Sequence, residues 1–256
     1  MKSIYGPVPS WRLGRSLGVD PICSNKKICS FDCVYCQLGK TIEKTMERKE
    51  YVDTGKVIKE LDETEKNNVD VITFSGTGEP TLNSGIGKMI AHAKKFGFPV
   101  AVLTNSSFLG VPSVRDDLKE ADILCAKLDA HNEEIFQKIN NPVKGLSFKN
   151  VLNGIKEFKK EFKGKLALQM MFIEYNIDYA KEMAELAAEL KPDEVQLDTP
   201  LRKSAVRPLN EKEMEKIGKR FSGMNYISVY EKKKPKVKPM DAEETFKRRP
   251  EVCSWE

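Results

Sequence analysis

The chain has 256 residues, 40% hydrophobic and 32% charged, a length and balance suited to one large domain or two small ones with a substantial core. This composition excludes a disordered chain, and the lack of any run of about 18 apolar residues excludes a bilayer-spanning helix. The net charge of +5 excludes little, because residues 1–49 alone hold nine basic side chains against Asp20, Asp32, Glu43 and Glu47, an excess equally suited to RNA phosphates, an anionic cofactor or plain solvation.

Along the chain, short apolar runs rich in β-branched residues alternate with amphipathic helical patterns. Strands are expected near residues 16–19 and at 69–75, 99–104, 122–128, 166–173 and 194–197, each nearly continuous, as in parallel strands covered on both faces. Helices are expected over residues 55–67, 84–96, 113–120, 148–162 and 178–190. In the last of these Tyr179, Met183, Leu186, Ala187 and Leu190 recur at three- and four-residue steps. A closing helix over 211–221 and a strand over 226–230 complete the pattern. Repeated βα units imply a parallel sheet, either open and doubly wound or curled toward a barrel. Residues 1–230 are read as the core domain. Residues 231–256, opening with the lysine- and proline-rich run 232–239, are read as a basic exposed linker and C-terminal tail.

Met1–Pro7 lacks the apolar core of a secretory signal, so the expected location is the cytoplasm, where six cysteines are not expected to form a disulfide framework. Cys29, Cys33 and Cys36 instead stand at x3 and x2 spacing, which lets one loop wrap soft thiolate ligands around one centre. Zinc usually takes a fourth protein ligand, and neither His92 nor His131 has suitable company. A cluster held by three cysteines leaves one iron free for a substrate or cofactor.

C-x3-C-x2-C with an aromatic residue before the third cysteine resembles the signature of the radical S-adenosylmethionine superfamily. The resemblance implies a partial (βα)6 TIM-like barrel in which Cys29, Cys33 and Cys36 hold a 4Fe–4S cluster. It implies that S-adenosylmethionine is chelated by the free iron and cleaved reductively to a 5′-deoxyadenosyl radical that abstracts hydrogen from a substrate. Tyr35 maps to the aromatic residue packing beside the adenine. Ser75-Gly76-Thr77-Gly78-Glu79-Pro80 is similar to the family's Gly-Gly-Glu-Pro segment, with Thr77 where many members have glycine. Even without the resemblance, a glycine-rich turn at the carboxyl end of a parallel strand is a ligand-loop candidate.

The later strand ends carry polar groups on one side of the sheet, where active sites of βα proteins are assembled. Thr104, Asn105 and Ser106 resemble residues that contact the cofactor's ribose and carboxylate, Asp129 is a candidate for the ribose hydroxyls, and Gln169 is a candidate for the lumen. Gln196 and Asp198, with Cys253 of the tail, are the catalytic candidates. Cys125 is expected to be a buried structural thiol. Cys23 and Cys253 are candidates for a further metal or thiol function, or for none.

Residues 6–21 together with Cys33–Gly39 resemble the short members of a wyosine-synthase-like subgroup, although Trp11 replaces an expected arginine. Arg12 and Arg15 are candidates for an anionic substrate group or the cofactor carboxylate. Wyosine synthases carry extra N-terminal cysteines for a second cluster. Only Cys23 precedes Cys29 here, which points away from wyosine synthesis itself and leaves RNA modification open. The substrate classes implied are an RNA base, a peptide or a small metabolite, with a reducing donor such as ferredoxin or flavodoxin and no membrane partner. The alternatives are an activating enzyme that installs a glycyl radical on a partner protein, and a non-catalytic iron–sulfur protein that binds RNA or senses redox state.

Overall fold

The computed structural model describes residues 1–250, so Cys253 lies outside the described residues. The chain opens with a hairpin in which β1 (Ile4–Ser10) runs antiparallel to β2 (Gly14–Val19). Its turn is tied by Ser10 Oγ, which accepts from the backbone N–H groups of Arg12 and Leu13 at 3.3 and 3.1 Å. Gly14 takes φ +74° to close it. A short parallel pair, β3 (Ile28–Cys29) and β4 (Glu43–Lys44), brackets the cysteine loop.

The βα units follow. They are α1 (Thr54–Glu63), β5 (Val71–Phe74), α2 (Ile86–Ala93), β6 (Val100–Thr104), α3 (Pro112–Leu118), β7 (Ile123–Lys127), α4 (Glu133–Asn140), α5 (Phe148–Glu161), β8 (Lys165–Met171), α6 (Ala180–Leu190), β9 (Glu194–Asp198), α7 (Glu211–Gly218) and β10 (Tyr226–Ser228), before a last helix, α8 (Ala242–Arg248). The main sheet has the order β1-β2-β5-β6-β7-β8-β9-β10, parallel from β2 onward, and it curls into a half-barrel with helices outside. Among the described residues no pairing joins β1 to β10, so the barrel stays open. No helix of the described residues is long and apolar enough to cross a membrane.

The near-continuous apolar strands have the physical cause expected of a covered parallel sheet. Every residue of β5 is buried, and α5 packs a stripe of Val151, Gly154, Ile155 and Phe158 while turning its lysines to solvent. Besides the two-residue strands β3 and β4, the sequence reading leaves out three elements. β1 contains Pro7 and Pro9, which remove ladder donors, but an edge strand tolerates them. α4 is short, yet Asn132 caps it by accepting from the Ile135 N–H at 2.9 Å, and it buries Ile135, Phe136 and Ile139.

The third, α8, replaces the expected exposed tail with a docked helix. Asp241 caps it by accepting from the Glu244 N–H at 3.0 Å. Its Arg248 is fully buried: Nε donates to Asp20 Oδ2 at 3.0 Å, Nη1 to Glu244 Oε2 at 2.6 Å and Nη2 to the Lys2 carbonyl, with the guanidinium carbon 5.2 Å from the centre of the Tyr5 ring.

Removing one partner of a fully buried pair strands the other charge, so Asp20→Ala or Arg248→Ala should cost about 3–5 kcal/mol of unfolding free energy. Arg15→Ala breaks only the exposed pair with Asp70 and should leave the denaturation midpoint nearly unchanged. Equal midpoints for all three variants in a urea titration would contradict the docking. Acid should release the same helix. Burial alone would raise the Glu244 carboxyl, but Lys247, Arg248 and the Lys2 N–H outweigh it and bring it down to about 2. A folded-state value below the ordinary carboxylate range gives stability fully present above about pH 4.5 and lost as the pH falls toward 2. Glu244→Gln should flatten that acid limb of the stability curve.

Candidate active site

The cysteine loop leaves β3 and returns along the inner end of the half-barrel. Cys29 Sγ accepts from the Phe31 N–H and from Asn105 Nδ2, both at 3.5 Å, and Cys33 Sγ accepts from Asn140 Nδ2 at 3.5 Å. A turn closed by the Cys36 N–H on the Cys33 carbonyl at 3.0 Å brings the third thiol round. Burial pushes the Cys29 thiol far up, helped by Glu79 and Cys33, and pushes Cys33 up to about 11, helped by Asp129 and Cys36. All three thiols lie near the Lys27 ammonium. Burial alone would lower the Lys27 ammonium, but the charges of Cys36, Cys29 and Cys33 together hold it above its ordinary value.

Among the described residues no three His, Cys, Asp or Glu side chains converge closely enough to hold a single metal ion. Thiolates on one zinc ion lie about 2.3 Å from it, whereas a multi-iron cluster spreads the same three ligands over a wider ring. Three neighbouring thiols too spread for one ion suit a multi-iron cluster better than a single zinc ion.

The loop after β5 is tied to this one through the backbone. The Ile28 N–H donates to the Thr77 carbonyl at 3.2 Å, and the Glu79 N–H donates to the Ile28 carbonyl at 3.1 Å, one residue before Cys29. That approach explains Gly78, since a Cβ there would sit 1.6 Å from the Ile28 carbonyl oxygen. A Cβ at Gly76 would sit 2.1 Å from Asp20 Cγ. Thr77 turns away from the cavity and binds Asp20, its N–H and Oγ1 donating to Oδ2 at 3.2 and 3.0 Å.

Glu79 is a buried tie between strand ends. Its carboxylate accepts from the Thr81 N–H and Oγ1 at 3.1 and 2.7 Å, from Thr104 Oγ1 at 2.7 Å and from the Asn105 N–H at 2.7 Å. Burial outweighs these bonds and leaves the carboxyl above its ordinary range.

Asp129 has both oxygens engaged as well. Oδ2 accepts from the Tyr35 hydroxyl and from Asn140 Nδ2 at 2.9 Å, and Oδ1 from the Met171 N–H at 2.9 Å, with Lys127 Nζ at 3.6 Å. Burial, Asp129 and Cys33 hold the Tyr35 phenol well above its usual range, and Lys127 lies 4.8 Å from its ring centre.

A cavity of about 290 Å³ lies against these loops inside the half-barrel. Tyr35, Cys36, Gly76, Gly78, Gln169 and Asp198 line it, while Thr77, Glu79, Thr104, Asn105, Asp129 and Gln196 do not. Gln169 Nε2 donates to Asp198 Oδ2 at 2.8 Å. Gln196 is turned to Glu194 and Arg12 instead. Arg12 lines the cavity. Arg15 is held outside it by Asp70 and Asn68. Cys125 is fully buried in β7, and Cys23 lies 3.7 Å from Arg248 Nη2.

Four residues that the sequence reading passes over are structurally central: Asp20, Asn140, Arg202 and Arg249. Asn140 was findable, because an Asn cap followed by paired glutamates and the Ile135–Phe136–Ile139 spacing marks α4. Asp20 has local partners in the Ile22 and Cys23 N–H groups, but the two that make it central, Thr77 and Arg248, lie 57 and 228 positions away.

Residues 26–187 match the family described as the Radical SAM superfamily. A UPF0026 protein of the cyanobacterium Synechocystis is 41% identical over 202 residues, covering 78% of this chain and 76% of that one. Among solved structures, TYW1 with a lysine-pyruvate adduct bound superposes with a TM-score of 0.60 at 21% identity over 82% of this chain and 74% of that chain. SuiB of Streptococcus suis bound to S-adenosylmethionine superposes with a TM-score of 0.63 at 13% identity, over 84% of this chain and half of that chain's length. At these identities the two structures speak for the fold, and the sequence match carries the family: the chain belongs to the radical SAM superfamily, enzymes that use a 4Fe–4S cluster to cleave S-adenosylmethionine reductively.

Proposed function

We propose that Cys29, Cys33 and Cys36 ligate the cluster and that the adjoining cavity takes S-adenosylmethionine together with the substrate from which hydrogen is removed. The observation that carries this reading is the joint between the two loops. The glycine-rich turn is hydrogen-bonded to Ile28, so the cluster ligands and the cavity wall are one rigid unit. The bound groups supply one-electron reduction of the sulfonium and a carbon radical that abstracts hydrogen.

The chain's own residues bind, orient and shield. Gly76 and Gly78 present bare backbone to the cavity, the surface that a cofactor ammonium can approach closely. Tyr35 offers a ring face whose orientation is fixed from behind by Asp129 and Asn140. Glu79 holds the β5 and β6 ends at a constant spacing, with Thr104 and Asn105 as its partners. Gln169 and Asp198 form a hydrogen-bonded pair on the far wall, placed to meet hydroxyl or amino groups of a ligand. Lys27 offsets the negative charge of three thiolates. Exposed Lys26, Lys40 and Lys44 flank the cysteine loop, a charge pattern suited to an acidic electron donor such as ferredoxin or flavodoxin.

Anaerobic reconstitution with iron and sulfide, followed by reductant and S-adenosylmethionine, should yield 5′-deoxyadenosine. An intact cluster that never yields it over prolonged incubation would sink the reading. Cys36→Ala should lose both the cluster's visible absorbance and the cleavage. Gly78→Ala forces the Ile28 carbonyl away, so it should cut cleavage at least about tenfold and weaken cofactor binding. Wild-type turnover in that variant would show that the joint between the loops does not matter. Asp129→Asn should retain bound iron but raise the apparent KM for S-adenosylmethionine several-fold, since it weakens the support of Tyr35 and the neighbouring Asn140 and Lys127 contacts without removing a thiol.

A further inference from the structure

The cavity that the proposed function assigns to S-adenosylmethionine also carries a concentration of positive charge that the cofactor does not account for. Arg12, Arg202, Lys234 and Arg249 all line it, and among the described residues Asp198 is the one carboxylate in its lining. The chain's other buried or half-buried arginines are matched. Arg48 pairs with Asp117 at 2.7 Å, Arg115 with Glu161 at 3.0 Å and Arg248 with Asp20 and Glu244.

Among the described residues none of the four cavity cations has a carboxylate within 4 Å. Arg202 Nη1 donates to Gln37 Oε1 at 2.8 Å, Arg249 Nη2 to Ser75 Oγ at 3.1 Å, and Arg12 Nη1 reaches Gln196 Oε1 only at 3.5 Å. Arg12 Nε is buried with no hydrogen-bond partner, which is costly for a charged donor unless something else fills the place. The charges are close enough to oppose one another. Burial, with Arg249 and Arg12 nearby, brings Arg202 down to about 10 despite Asp198, and partial desolvation with Arg202 beside it lowers Lys234, which keeps much of its surface exposed.

The four come from separate segments: the β1–β2 turn, the chain after β9, the chain after β10 and the end of α8. Sequence neighbours with a local cause for being basic do not explain their convergence. S-adenosylmethionine brings one carboxylate and also two positive groups, so it cannot neutralise this set. Guanidinium forks joined by an ammonium are the donor set for a phosphate, which accepts several bonds on a compact dianion.

We propose that the substrate is a small molecule carrying a phosphomonoester, bound by Arg12, Arg202, Arg249 and Lys234 alongside the cofactor. This rests on the placement of the cofactor in the same cavity. A phosphodiester backbone fits less well, because it offers one charge per phosphate and Arg12 reaches the lumen from the floor of the half-barrel.

Calorimetric titration of the reconstituted holoenzyme, with saturating S-adenosylmethionine and at fixed ionic strength, tests it. Ribose 5-phosphate and inorganic phosphate should bind, while ribose and an unphosphorylated uridine hexanucleotide should not. Arg12→Gln and Arg202→Gln should each weaken phosphate binding about tenfold or more, and exposed Lys238→Gln should leave it unchanged. If the arginine variants fail to fold, Lys234→Gln serves alone. Absence of phosphate binding, displacement of phosphate by S-adenosylmethionine, or binding of the hexanucleotide instead would overturn the proposal. Phosphate binding without 5′-deoxyadenosine formation would count against the radical reading and leave the anion site standing. Cleavage without phosphate binding would do the reverse.

Discussion

One carboxylate holds the working parts of this protein together. Asp20, at the end of β2, has no exposed surface, and each of its oxygens serves a different part of the fold. Oδ1 accepts from the N–H groups of Ile22 and Cys23, which starts the chain toward the cysteine loop. Oδ2 accepts from Thr77 of the glycine-rich turn and from Arg248 of the last helix. A buried charge is tolerable only when it is paired and fully bonded, so these segments are fixed as a set. Moving any one of them leaves a charge stranded in the interior. The glycine at position 76 follows from the same carboxylate, whose Cγ occupies the space a side chain would need.

The same connection continues to the cavity rim. The Arg248 carbonyl accepts from Gln37 Nε2 at 2.9 Å, and the other end of the Gln37 amide accepts from Arg202. Gln37 follows Cys36 directly, so the last cluster-loop thiol, the C-terminal helix and a cavity arginine share one hydrogen-bonded path. Most of these bonds join residues far apart in sequence. Closing such long loops carries an entropic cost that only the assembled fold offsets, so the site is a product of the finished half-barrel rather than of any single motif.

Much of this was legible before any coordinates. Uniformly apolar strands alternating with amphipathic helices identify the parallel βα architecture because both faces of the sheet are covered, and the elements from β5 to β10, α4 apart, sit within a few residues of where the pattern puts them. The three cysteines and Ser75–Pro80 are visible because their chemistry needs contiguous residues. What stays hidden depends on long-range partners. Glu79, Thr104, Asn105 and Asp129 sit at the expected strand ends, but a linear sequence cannot show that Thr104 and Asn105 are spent on Glu79, or Asp129 on Tyr35 and Asn140. The basic tail reads as solvated because its composition is that of an exposed segment. Only the unseen partner Asp20 makes Arg248 a core residue.

This difference between spent and unspent polar groups separates scaffold from function here. Glu79 accepts four hydrogen bonds, Asp129 is surrounded by donors, and Arg248 meets two carboxylates, so each has its full complement within the fold. Such groups position their neighbours and have nothing left for a ligand. Arg12 is the opposite case, half-buried with an orphaned Nε, whereas Arg48, Arg115 and Arg248, outside the cavity, each meet a carboxylate. Stability alone gives no reason to keep an unmatched guanidinium beside three other cations, since an apolar side chain of similar volume would relieve both repulsion and desolvation. A negative group bound among them, as the phosphate proposal supplies, would relieve that cost and would assign Arg12, Arg202 and their neighbours to ligand binding rather than to folding.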